Sequence, residues 1–101
     1  MNFISTRNKK NSKSLTEAIG LGLADDGGLF VPAYLPTINL TAFTPELTYP
    51  LFAAKLLTEF FAEDALSAHL LAMCNNAFTF PVPLTQLNDD TFMLELFHGP
   101  T

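Results

Sequence analysis

The sequence predicts an α/β chain of three helices and a few short strands, closed by one strongly apolar strand. Three observations carry this reading. Apolar residues recur at near-helical spacing in three segments. Short β-prone runs at Phe3-Ile4-Ser5-Thr6, Leu29-Phe30-Val31 and Phe92 to Phe97 alternate with them. Clusters of Gly, Pro, Asn and Asp mark the joins. The 101 residues give room for one domain. An apolar share of 49% against 15% charged excludes a disordered chain. So little charge, where roughly 25% is usual, also predicts an apolar surface that meets further protein.

The elements follow in order. Phe3 to Thr6 is a first strand, and the polar run Arg7 to Lys13 is an exposed loop or hairpin. Ser14 and Glu17 have the spacing of a capping box. Leu15, Ala18, Ile19 and Leu23 then predict a first helix, with Gly20 and Gly22 letting it lie close to another backbone. Asp25-Asp26-Gly27-Gly28 is a turn, and Leu29-Phe30-Val31 is a strand stopped by Pro32. Ala33 to Thr44 is an irregular connection. Thr48 caps a second helix with Pro50 in its first turn, and Phe52, Leu56 and Phe60 form its apolar stripe, Ala53 and Leu57 alongside. Asp64 or Ser67 caps a third helix whose inner face is Leu66, Leu70, Met73, Cys74 and Ala77. Pro81-Val82-Pro83-Leu84 is extended. Asn88-Asp89-Asp90 turns the chain into the Phe92–Phe97 strand, apolar enough to be covered on both faces.

Charge is segregated. Arg7, Lys9, Lys10 and Lys13 precede all ten acids, and Lys55 is the only base after Lys13, for a net −5. This argues against nucleic-acid binding. The basic start has no apolar segment behind it and is not a secretory signal. The two stretches without charge, Gly27 to Pro45 and Ala65 to Asn88, are broken by prolines or asparagines and are not membrane spans. One cysteine excludes an internal disulfide, and two unrelated histidines argue against a metal site. A cytoplasmic setting is expected.

Few residues point to chemistry. Asp25-Asp26 and Asp89-Asp90 read as solvated turns, although the first could aim its glycine amides at an anion. His69 reads as a surface histidine and Cys74 as an inert core thiol. Arg7 reads as loop surface, with pairing to a carboxylate or phosphate as the other option. Glu95 alternates with Met93 and Phe97. It fits either an edge position reaching water or a carboxylate in a cleft at the sheet's carboxyl end. His98-Gly99-Pro100-Thr101 would then be the ligand-facing loop, with Thr101 placed to cap a following helix whose amides could meet an anion. This ending reads as a strand–loop–helix unit cut short.

Leu94-Glu95-Leu96-Phe97-His98-Gly99-Pro100-Thr101 resembles the signature segment of the threonine synthases, pyridoxal-phosphate enzymes of fold type II. Ser5-Thr6-Arg7, Ser14 to Leu23, Asp26-Gly27-Gly28-Leu29-Phe30-Val31-Pro32, Tyr49 to Phe60 and Ala77-Phe78 support the resemblance in order. Asn8, where the family often has Gly, and Lys9 to Lys13 depart from it. The resemblance implies a small α+β-like amino-terminal domain over residues 1–80. Residues 81–101 would be the extended segment, first strand and loop leading into a missing cofactor-binding domain, the chain's expected partner. The implied reaction converts O-phosphohomoserine and water to threonine and phosphate, with pyridoxal phosphate as electron sink. Its lysine would lie just after Thr101. No catalytic, cofactor-binding or metal-binding residue is therefore expected in this chain, and no cofactor on it. Glu95, His98, Gly99, Pro100 and Thr101 would stand near the site. A related phospho-lyase and a non-catalytic interaction module remain alternatives.

Overall fold

The computed structural model describes residues 1–98. Strands β1 (Asn2–Ser5), β2 (Ser12–Ser14) and β3 (Phe30–Pro32) form an antiparallel sheet in the order β2-β1-β3. Helix α1 (Leu15–Leu21) follows β2 directly. The capping box at its start is made in full: Ser14 Oγ accepts from Glu17 N and Glu17 Oε2 accepts from Ser14 N. The Ser14 amide, and then the Ser14 hydroxyl, hold the Glu17 carboxyl below its ordinary pKa. Gly22 ends the helix at φ 73°, a left-handed conformation that a side chain would strain, with its N–H on Ala18 O. The close backbone approach expected of Gly20 and Gly22 is not made: nothing lies within 4 Å of a Cβ built at either. Only Leu15 and Ala18 of α1 are buried, and they join Phe3 in one small core, while Ile19 and Leu23 face solvent.

Pro32 lies within β3 rather than stopping it, paired with Phe3. An edge strand tolerates proline because its outer amide has no partner to lose. Residues 33–44 are irregular save for a short 3-10 turn at Leu40–Ala42. Helix α2 (Tyr49–Leu57) begins after Thr48, whose side chain makes no capping bond. Its buried face is Ala53 and Ala54, continued by Leu57 and Phe61, not the expected Phe52–Leu56–Phe60 stripe; Phe52 is exposed and packs edge-on against Phe43. Small residues win the inner face because they let α3 approach closely. Helix α3 spans Leu70–Ala77, and Leu70 and Cys74 complete that second core. The expected first turn of α3 is a separate 3-10 turn, Ala65–His69, capped by Asp64. Ala77 is exposed rather than inward.

Phe61 packs against both cores. Beside it, Asp64 accepts hydrogen bonds from Thr16 N, Thr16 Oγ1 and Leu66 N. One carboxylate thus caps α1 and the 3-10 turn together, and these donors, Thr16 Oγ1 first, hold its pKa below the ordinary range. The Met1 nitrogen donates to Ala62 O at 2.7 Å in the same neighbourhood.

The last elements form a separate hairpin, β4 (Leu84–Asn88) with β5 (Thr91–Leu94), joined by the expected turn at Asp89-Asp90. Strand β4 was not foreseen beyond Leu84, and the apolar strand is shorter than Phe92–Phe97. Instead of being covered on both faces, every residue of both strands is exposed here. The hairpin contacts chiefly itself, and the chain measures 47 × 28 × 25 Å. Its radius of gyration of 16.3 Å exceeds the roughly 13 Å of a compact 100-residue domain.

Candidate functional site

Two constellations emerge, one polar and one aromatic. The first ties the β1 end to the turn before β3. Ser5, on the inner face of β1, is completely buried. Its hydroxyl donates to Asp26 Oδ1 at 2.7 Å and accepts from Arg7 N at 3.2 Å. Gly28 N also donates to Asp26 Oδ1, and Arg7 Nη1 donates to the Asp26 carbonyl at 3.1 Å. Asn11 Nδ2 holds Asp25 Oδ1 at 2.7 Å. Arg7 and the Asp25-Asp26 turn, separate surface features in sequence, therefore meet. The Ser5 hydroxyl, and then the Gly28 amide, keep the Asp26 carboxyl below its ordinary pKa. Its second oxygen, Oδ2, is shielded from solvent without a protein partner. Gly28 is required: a Cβ there would collide with Ser5 Oγ and lie 3.1 Å from Arg7 N. The Gly28 amide is thus spent on Asp26 instead of on an external anion. This knot fastens the β1–β2 hairpin to β3.

The second constellation is the base of the β4–β5 hairpin. Leu84 pairs with Leu94, and Glu95 N donates to Pro83 O at 2.9 Å, carrying the same register one step further. Beyond that bond the two segments are no longer strand, and there Phe80 meets His98. The two rings stack, centroids 4.3 Å apart and planes 28° from parallel. Phe80 in turn meets Tyr49 at 5.9 Å and Phe78 at 6.4 Å, and Tyr49 meets Phe78 at 4.8 Å. Glu95 is half-buried, and His98 is exposed. Both lie past the end of β5. Gly99, Pro100 and Thr101 lie outside the described residues.

The remaining candidates stay apart. Asp89-Asp90 is an exposed turn, His69 is exposed and Cys74 is buried. Lys55 lines an open 310 Å³ cleft with Ile38, Phe43 and Glu59, and its Nζ donates to Ala42 O at 2.7 Å. Among the described residues no cluster of three or more His, Cys, Asp or Glu is placed to hold a metal ion. No described helix is long and apolar enough to cross a membrane.

Comparison with known proteins places this arrangement. The family model described as the threonine synthase N terminus matches residues 2–78. The chain belongs to the threonine synthase N-terminal family. It is similar to threonine synthase of Haemophilus influenzae, 36% identical over the whole chain, and to that of Pseudomonas aeruginosa, 37% identical. The crystal structure of threonine synthase from Escherichia coli superposes on the whole chain with a TM-score of 0.85 and 32% identity. The chain spans about a quarter of these relatives: 24%, 23% and 24% of their lengths. The three helices and short antiparallel strands are thus those of a threonine synthase amino-terminal domain. The family match takes in the Ser5–Arg7–Asp26 knot, α1, α2 and α3, and it stops before Phe80, the hairpin and His98.

Proposed function

We propose that residues 1–80 serve as the amino-terminal domain of a longer threonine synthase, and that residues 81–101 lead into its catalytic domain. The whole enzyme would convert O-phosphohomoserine and water to threonine and phosphate with pyridoxal phosphate, in the cytoplasm. The observation that carries this reading is similarity along the entire chain, at 32–37% identity, to proteins about four times its length that bear this name. The exposed apolar hairpin supports a partner domain of the same polypeptide, since contiguous apolar surface of this kind marks an interface.

The described residues do not themselves fit the cofactor. A cofactor lysine needs burial or a neighbouring cation, and a loop to hold the phosphate. Lys9, Lys10 and Lys55 are exposed, Lys13 is on the hairpin strand β2, and Lys55 is engaged with Ala42 O. No chemical step is therefore assigned to these residues. Their part is to build a folded layer and to deliver the chain through Glu95 and His98 toward Gly99-Pro100-Thr101, near the proposed site, with the lysine downstream.

The test compares this chain with the polypeptide extended to the length of its relatives. Both are supplied with pyridoxal phosphate and O-phosphohomoserine, and phosphate and threonine are measured. Phosphate and threonine in equal amounts from the extended protein alone are expected. Phosphate without threonine would assign it to the related phospho-lyases, and turnover by the 101-residue chain would overturn the division of labour.

A further inference from the structure

Beyond the open end of the hairpin, one contact at the edge of the proposed site is not included in the family match. We propose that Phe80 is a positioning residue, which orients the His98 ring. This rests on the reading above that His98 stands near the reaction.

Three features support it. The stack lies beyond the open end of the hairpin, past the Leu84–Leu94 pair and the Glu95 N–Pro83 O bond, and joins the two chain segments there. Phe80 is also braced from behind. Tyr49 opens α2 and Phe78 closes α3, so the two rings that contact Phe80 come from the ends of the two packed helices. The ring on which His98 rests is therefore fixed to the rigid part of the molecule. Finally, Pro81 and Pro83 lie between Phe80 and β4. Proline restricts its own φ and keeps its predecessor extended. The spacer between Phe80 and the hairpin is stiff. An aliphatic side chain at residue 80 would fill some of the same space but give the imidazole no flat face to lie on.

His69 is exposed and supplies an internal control, since it and His98 are the only histidines. In this chain, the His98 ring protons are expected upfield of those of His69 by NMR, shielded by the Phe80 ring. Phe80→Tyr should retain that shielding. Phe80→Leu should abolish it while leaving the chemical-denaturation midpoint close to that of Phe80→Tyr. The same substitutions in the extended enzyme give the functional arm. Phe80→Leu is expected to lower kcat/KM about 10- to 100-fold, the scale of a displacement of about 1 Å near a reacting centre, and Phe80→Tyr to restore most of it. Unshifted His98 resonances in the unsubstituted chain would overturn the proposal whatever the rates. A shielded His98 with unchanged kcat/KM in Phe80→Leu would overturn it as well. An unsubstituted extended enzyme that releases no phosphate would instead remove the functional reading, and the positioning role with it.

Discussion

Strands β1 and β5 each have four residues, and they are treated in opposite ways. Strand β1 buries a serine completely, whereas β5 exposes Phe92, Met93 and Leu94. Side-chain polarity alone would have reversed the two. Ser5 is inside because its hydroxyl has both a donor and an acceptor, and a satisfied buried polar group costs little. Phe92 is outside because no layer of this chain covers either face of the hairpin. Burial here follows the partners available to a strand, so the apolar hairpin marks where partners are wanted.

Four substitutions test that contrast. Leu70→Ala, in the core between α2 and α3, should cost about 2–5 kcal/mol by chemical denaturation. Ser14→Ala, which removes the capping box of α1, should cost about 1 kcal/mol. Asp64→Asn tests the shared cap through pH. The folded-state pKa of Asp64 is depressed, so its contribution is complete above the ordinary aspartate value of 3.8 and is lost as pH falls through the lower folded value. The Asn variant should show a flatter decline of stability below pH 3.8 than the parent when denaturation is followed across acid pH. Phe92→Ser should change stability by no more than about 0.5 kcal/mol and reduce self-association and hydrophobic-dye binding. A large loss of stability there would mean that the hairpin belongs to the core after all.

What was legible in the sequence was local. The capping box lies within four residues, and the Asp25–Gly28 and Asn88–Asp90 turns declare themselves by composition. The third helix gave its buried pair, Leu70 and Cys74, but not its start, because the Asp64 cap holds residues 65–69 in a tighter turn. In the second helix periodicity chose the largest side chains, while packing chose Ala53 and Ala54. The site was harder. Glu95 and His98 were singled out from their surroundings, yet Phe80, 18 residues before His98, carried no signal until the hairpin brought the two together. Ser5 and Asp26, 21 residues apart, are joined only once β3 pairs with β1. Strand β4 was missed because its Thr85, Gln86 and Asn88 dilute the apolar pattern.

The shared cap at Asp64 also has a temporal consequence. Thr16 and Asp64 are 48 residues apart. A ribosome adding 5–20 residues per second needs roughly 2–10 s to cross that interval. Through that interval the nascent sheet and α1 have neither the carboxylate that closes the helix end nor Phe61, which shares their core. Residues 1–32 are thus made early and completed late, and their nascent form waits for residues 61–64 before it can settle.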